Sequence, residues 1–224
     1  MATARIYRST LRFLAEGAEG FGVALIVLLT WPLSRRWLDN WGATAAEREE
    51  PRVGDALAPS PGHTSTRAVG IAAPSDVVWA WVVQFGLDRA GFYSYELLER
   101  LVGIPVRNVE TILPAHQSLA TGDEIRLHPK APGIPVGVVE PGRHVCFGQG
   151  GPTDEVTPDP RRSWSIYIEP VSSKSCRLVL RSCIEGLRKP SLAGRAGLAV
   201  EAPIDFVMEQ KMLRTIRRLA ESMS

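Results

Sequence analysis

From Gly122 onward the hydrophobic period is two, in five short runs with no helical run between them, and this confines the region to an antiparallel sheet. The runs are Asp123–His128, Val136–Val139, His144–Gln149, Ser163–Glu169 and Arg177–Glu185. Pro141-Gly142 and Ser172-Ser173-Lys174 read as turns, whereas parallel strands would need long crossovers. Trp164, Ile166 and Ile168 alternate with Ser165, Tyr167 and Glu169, and Leu178, Leu180 and Ile184 alternate with Arg177, Val179, Arg181, Cys183 and Glu185. Ile125 and Leu127 stand likewise against Glu124, Arg126 and His128. The apolar sets are predicted to face inward. Gly150–Pro160 is predicted as a loop at a strand end.

Ahead of this region, Thr66–Ala73 alternates Ala68, Gly70 and Ala72 against Arg67, Val69 and Ile71, a weak strand signal. Ser75 is a good cap for a helix carrying Val77, Val78, Trp81, Val82 and Phe85, which Gly86 stops. Ser94 caps a second helix, with Leu97, Leu98, Leu101 and Val102 as its stripe and Gly103 as its end. A last helix is predicted from Pro203 to about Glu221, with Ile204, Met208, Met212, Ile216 and Leu219 on one face.

This order, with IAAPSDVVWAWVVQFG entered through Ala-Pro, several antiparallel strands and a long final helix, resembles the START-like (SRPBCC) superfamily. Gly91–Gly103 and Ala202–Arg218 are similar to segments of uncharacterised bacterial members. The resemblance covers about two thirds of the chain. It implies, over residues 65–222, an α+β helix-grip fold: an antiparallel sheet curved around a long C-terminal helix, with an internal cavity. The superfamily runs from polyketide cyclases to lipid carriers, so the resemblance implies a cavity without naming a reaction.

Residues 1–40 read as a hydrophobic helix and 41–64 as a linker or an arm laid over the domain. Gly20–Leu33 carries no charge, with Arg5, Arg8 and Arg12 before it and Arg35 and Arg36 after it. Fourteen residues span about 21 Å as a helix, short of the roughly 30 Å hydrocarbon core. Three readings stand: a membrane anchor acting through residues 20–37 with Trp31 and Trp37 at the interface, a signal peptide without a good cleavage site, or a helix packed on the domain or a second copy. In each, Pro32 is predicted to end the helix near Trp31. The linker is rich in Pro, with Thr44 as the cap of a short helix.

With 26 basic and 24 acidic residues, the chain lacks the basic excess of a general nucleic-acid binder. Cys146, Cys176 and Cys183 form no CxxC, and the four histidines show no HxxxH or HExxH spacing, so neither a disulfide framework nor a metal site is expected. Reduced core thiols fit a cytoplasmic location, with or without a membrane anchor. No GxSxG elbow, phosphate-binding loop or dinucleotide fingerprint is present, and no cofactor is expected.

The residues predicted to line the cavity are Phe92, Tyr93, Tyr95, Trp164, Ile166, Leu180, Met208 and Met212. Methionine adapts to ligands of imprecise shape, although an apolar helix stripe serves equally as plain core. The Phe92–Tyr95 cluster suits a pocket mouth or a wedge against the sheet. Asp205 falls within the apolar stripe, where it would act as acid, base or hydrogen-bond partner, or would serve the first turn of the helix. His128 is the other catalytic candidate, and a rim histidine is its plainer reading. The expected function is to bind or carry an apolar small molecule of lipid, polyketide or isoprenoid type. The alternative is a cyclase- or dehydratase-like enzyme in which a cavity carboxylate or histidine moves protons; a structural protein with a vestigial pocket is the third reading.

Overall fold

The computed structural model describes residues 2–148, 162–185 and 192–224. In chain order the elements are α1 (Ala2–Asp39), α2 (Ala45–Glu49), a 3-10 turn (Val53–Leu57), β1 (Pro61–Ile71), α3 (Ser75–Val82), α4 (Glu96–Leu101), β2 (Glu124–Ile125), β3 (Ile134–Glu140), β4 (His144–Phe147), β5 (Arg162–Ser172), β6 (Ser175–Glu185) and α5 (Leu192–Glu221). All pairings are antiparallel, in the order β1-β6-β5-β4-β3-β2, so the first strand closes onto the last.

Register sorts the two faces of the sheet. Arg67 pairs with Leu180, Leu180 with Ile166 and Ile166 with Val145, and residues at even offsets from these share their face. Val69, Ile71, Leu178, Leu180, Ile166, Ile168, Val145 and Phe147 are buried there with Met212, Leu213, Ile216 and Leu219 of α5. This is the concave side, gripped by α5, and the inward orientation of Trp164, Ile166 and Ile168 follows the alternation. The outer side is also covered. Leu57 of the 3-10 turn packs on Ala68, Cys146, Tyr167 and Val179.

Charge pairs fasten that outer cover. Arg177 donates to both Glu47 oxygens, Nε at 2.7 Å and Nη2 at 2.9 Å. Arg181 donates to Asp55 at 2.7 Å, and Arg52 to Glu169 at 2.5 Å. Thr44 caps α2, its hydroxyl accepting from Glu47 N at 3.2 Å. Cys146, Cys176 and Cys183 are buried free thiols; burial pushes each above its ordinary pKa, Cys176 to about 11.

Several boundaries depart from the sequence pattern. β2 holds only Glu124 and Ile125, and the expected strand through His128 gives way to a turn. β1 starts at Pro61 rather than near Thr66, because its early residues find partners as far along β6 as Glu185. α1 runs through Pro32 and α5 through Pro203, where helix ends were predicted. A proline costs one backbone hydrogen bond, and packing on both sides of it offsets the loss. Val27 and Trp31 before Pro32 and Leu38 after it lie on one buried face. Tyr95, not Ser94, is the N-cap of α4, since the Ser94 hydroxyl donates to Glu99 at 2.8 Å. Ile204 is exposed rather than in the inner stripe, because α5 buries Phe206 and Val207 against α1 as well as Met212 and Ile216 against the sheet.

α1 approaches α4 closely through two glycines. A Cβ on Gly17 would stand 2.2 Å from Leu97 Cδ2, and one on Gly20 would stand 2.8 Å from Tyr95 Cγ.

The outer ion pairs give a pH signature. Burial alone would push Glu47 up, but the hydrogen bonds and charge of Arg177, with Thr44, hold it below its ordinary 4.5. A carboxylate with a lowered folded pKa contributes stability that is present above the unfolded value and lost as pH falls through the folded one. Glu47→Gln is expected to lower the unfolding free energy by about 2 kcal/mol in urea titrations near neutrality. Wild type and variant should converge in acid; a gap independent of pH would contradict this account.

Candidate functional site

The concave face is not apolar throughout. Toward the start of β1 its inward positions become Arg67, Ser65 and His63, and toward the end of β6 Ser182 takes the position beside Leu180 and Ile184. Arg67 is only 2% exposed, so its charge needs partners. It has them on every side. Nε donates to Leu38 O at 3.0 Å, Nη1 donates to Glu209 and to Ser65 Oγ at 3.4 Å, and Nη2 lies 3.9 Å from Asp39. Its guanidinium also covers the Phe206 ring, 5.5 Å from the centroid. The other Glu209 oxygen accepts from Trp164 Nε1 at 3.0 Å. One arginine thus joins the end of α1, strand β1, strand β5 and helix α5.

Asp39 and His63 extend the group. Arg35 Nη2 approaches His63 Nδ1 at 3.5 Å, a contact that suits the tautomer in which Nδ1 accepts. Nε2 faces Asp39 Oδ1 at 3.6 Å. Among the described residues Asp39 Oδ1 is buried without a hydrogen-bond partner. Burial drives Asp39 above its ordinary carboxylate range, against the pull of His63, Arg67 and Arg35. Burial likewise drives His63 below its ordinary 6.5; Asp39 opposes that shift, and Arg35 and Arg67 add to it. The two shifts run in opposite directions, each disfavouring the charged form of its group.

These side chains border a small opening of about 20 Å³, lined by Ser65, Ser182, Asp205 and Glu209 as well as Arg67 and His63. That is room for one water molecule. A second, open cleft of about 670 Å³ lies between α1, α4 and α5. It is lined by charges of both signs, with Arg100 and Glu96 paired at 3.2 Å and Arg218 and Glu110 at 2.5 Å. At its edge Tyr93 adopts φ 56°, unusual for a residue with a Cβ. Asn108 holds it there: Oδ1 accepts from Phe92 N and Tyr93 N at 3.0 and 2.7 Å, and Nδ2 donates to Ser94 O at 2.8 Å. The Tyr93 hydroxyl points into the body instead of the cleft, donating to Trp81 O at 3.1 Å and accepting from Gln84 at 2.8 Å. Burial pushes that phenol up.

The residues singled out from sequence divide into two groups. Phe92, Tyr93, Trp164, Ile166, Leu180 and Met212 meet in the concave core, where Phe85 packs on Phe92 and Trp164 with centroids 5.3 and 5.1 Å away. Tyr95 and Met208 lie apart, against α1 with Val27, Trp31 and Phe206. Tyr95 donates to Glu19 at 3.0 Å, and Lys211 sits over its ring at 4.7 Å. Asp205 is exposed at the rim of the small opening. His128 lies in the turn after β2, with Nδ1 accepting from Lys130 N at 3.1 Å. Arg67, Glu209, His63, Asp39 and Ser182 did not stand out in the sequence. For Arg67 the signal was present: it shares a face with Val69 and Ile71.

A six-stranded antiparallel sheet whose first strand pairs with its last, gripped by a long C-terminal helix, is a helix-grip fold. No protein-family model matches the chain, and no curated protein does either. Among solved structures, an aromatase/cyclase from Streptomyces sp. R1128 is similar, with 17% identity over 71% of this chain and 93% of its own, at a TM-score of 0.39. A START superfamily protein from Mycobacterium smegmatis is similar over 72% of this chain and 99% of its own, with 12% identity and a TM-score of 0.39. A protein from Nitrosospira multiformis matches over 72% and 100%, with 11% identity and a TM-score of 0.43. At these scores the fold assignment rests on strand order, register and the seating of α5.

The site carries its own pH dependence. A histidine with a lowered folded pKa is protonated more readily in the unfolded chain. Its contribution to stability is therefore complete above 6.5 and shrinks as pH falls from there toward the folded value. In thermal unfolding followed by circular dichroism, His63→Gln is expected to flatten the fall in Tm just below pH 6.5. Equal slopes for the two proteins would show that His63 is not buried beside Asp39.

Proposed function

We propose that the protein binds a small, largely apolar molecule between the concave sheet face and α5, with one hydrogen-bonding group of the ligand held at the Arg67–Glu209 end. A lipid, polyketide or isoprenoid fragment bearing a hydroxyl or carbonyl fits this chemistry. One observation carries the reading: a buried ion pair stands where the polar end of the face meets the apolar part lined by Trp164, Ile166, Leu180 and Phe147. A charge pair is a poor way to stabilise a core, since apolar replacement is often neutral or better. As a polar anchor for an apolar ligand seated against that face it would have a clear use, because ligand sites combine apolar walls with a few placed polar groups. The Ser65 and Ser182 hydroxyls at the opening add donors and acceptors without adding charge.

A second reading, proton-transfer catalysis of the cyclase or dehydratase type, draws support from one further observation. His63 borders the same opening 3.6 Å from Asp39, and burial raises the pKa of the carboxyl and lowers that of the ring. The imidazole, which lines the opening beside that carboxyl, is the group suited to exchange a proton with a molecule there.

Native mass spectrometry of the gently purified full-length chain, with extraction of what accompanies it, tests the first reading. A defined apolar molecule is expected, and Ser182→Leu, which fills the opening, should lower its occupancy by about tenfold while leaving the circular dichroism unchanged. A chain that carries nothing and binds no apolar probe such as a fluorescent fatty acid would overturn it. Turnover of a co-purified molecule abolished by His63→Gln, with binding retained, would favour the enzyme.

A further inference from the structure

Helix α1 has two apolar faces, and only one of them is used. Gly17, Gly20, Val27, Trp31 and Leu38 turn toward the body and are buried. On the opposite side Leu14, Phe21, Leu25, Ile26, Leu29 and Leu33 are exposed, Leu29 by 73% and Leu33 by 95%. At 100° per residue these exposed positions spread over about 140° of the helix circumference. A two-helix coiled-coil seam is narrower, confined to two positions in seven. The width therefore suits a fluid apolar medium better than one partner helix.

Charge gives the second argument. From Gly20 to Ser34 the helix carries no ionisable residue. Arg5, Arg8 and Arg12 precede that stretch, and Arg35 and Arg36 follow it. The two acidic residues near it are turned to the body: Glu19 meets Tyr95 at 3.0 Å and Lys211 at 3.6 Å, and Glu16 lines the cleft beside α4 and α5. The helix is thus basic at both ends and uncharged from Gly20 to Ser34, and its two glutamates adjoin the body. Trp37, exposed beyond the apolar stretch, supplies an aromatic ring of the kind that settles at a headgroup boundary.

Packing gives the third. The segment Phe13–Trp31, 19 residues of mean hydropathy 1.7, is long and apolar enough to cross a membrane by length and composition. Yet its buried side is sealed onto the domain. Gly17 and Gly20 admit Leu97 and Tyr95 at distances no larger side chain allows, and Asp39 at the helix end faces Arg67. Crossing a bilayer would require withdrawing α1 and exposing Tyr95, Phe206 and Val207.

We infer that α1 is a monotopic membrane-docking element: it lies in the plane of an anionic bilayer with Leu14–Leu33 immersed in the acyl boundary, while its other face stays bound to the domain. The domain is then held against the membrane surface.

The test is flotation of the full-length chain, diluted from mild detergent, with vesicles of phosphatidylcholine alone and of phosphatidylcholine mixed with phosphatidylglycerol. The wild type is expected to float with both, more strongly with the anionic vesicles, and that excess should vanish at high salt. Leu25→Glu and Leu29→Glu, at exposed positions outside the buried clusters, should each weaken binding by about tenfold or more while leaving the circular dichroism unchanged. Membrane-bound protein should be released by alkaline carbonate. Three results would overturn the inference: retention after carbonate extraction, which marks a spanning helix; failure to float with either vesicle; or a stable dimer in light scattering that Leu25→Glu converts to monomer.

Discussion

A charge buried on a sheet face must be answered by groups brought to it, and Arg67 sets this requirement for the whole chain. Its partners come from sequence positions far apart: Leu38 and Asp39 at the end of α1, Ser65 on its own strand, Glu209 in the middle of α5. Glu209 in turn fixes the indole of Trp164 on β5. An α1 that ended at Pro32 would leave Arg67 without the Leu38 carbonyl. An α5 placed a turn away would leave it without Glu209. The arginine therefore specifies the relative placement of three layers, whatever its net contribution to stability.

Around this node the sheet is covered on both sides by different means. The concave side is sealed by hydrophobic contact with α5, α3 and the Phe85–Phe92–Trp164 ring cluster. The outer side carries a smaller apolar patch under Leu57 and relies on Glu47–Arg177, Asp55–Arg181 and Arg52–Glu169. Segment 41–60 is accordingly tied down by charge, and the polar residues of β5 and β6 that alternation assigns outward are its anchoring points.

Much of this was legible in the sequence because it is local. Period-two alternation gave the strands from Val136 to Glu185, and Pro141-Gly142 lies in the turn joining β3 and β4, with Gly142 at φ 78°. The same alternation put Arg67 on the face of Val69 and Ile71, although it did not mark that face as the buried one. The partners were not visible, since nothing near Asp39 or Glu209 in sequence marks them as neighbours of residue 67. Pro32, read as a stop, and Pro203, read as a start, misled for a related reason: a local boundary signal yields where the helix continues through it. Asp205 was assigned to the inner stripe by angle alone. The seating of α5 on α1 as well as on the sheet rotates that residue to the rim of the opening, and makes Glu209, one turn on, the carboxylate that reaches inward.

The central claim is that one buried arginine couples α1, β1 and α5, and hydrogen–deuterium exchange on the full-length chain tests it most directly. Comparing wild type with Arg67→Met, the account predicts that protection falls together at the end of α1 around Leu38, in β1 around Val69 and in α5 around Glu209, while β3 and β4 keep theirs. Loss confined to β1 would contradict it, because the other elements would then be held in place without the ionic node.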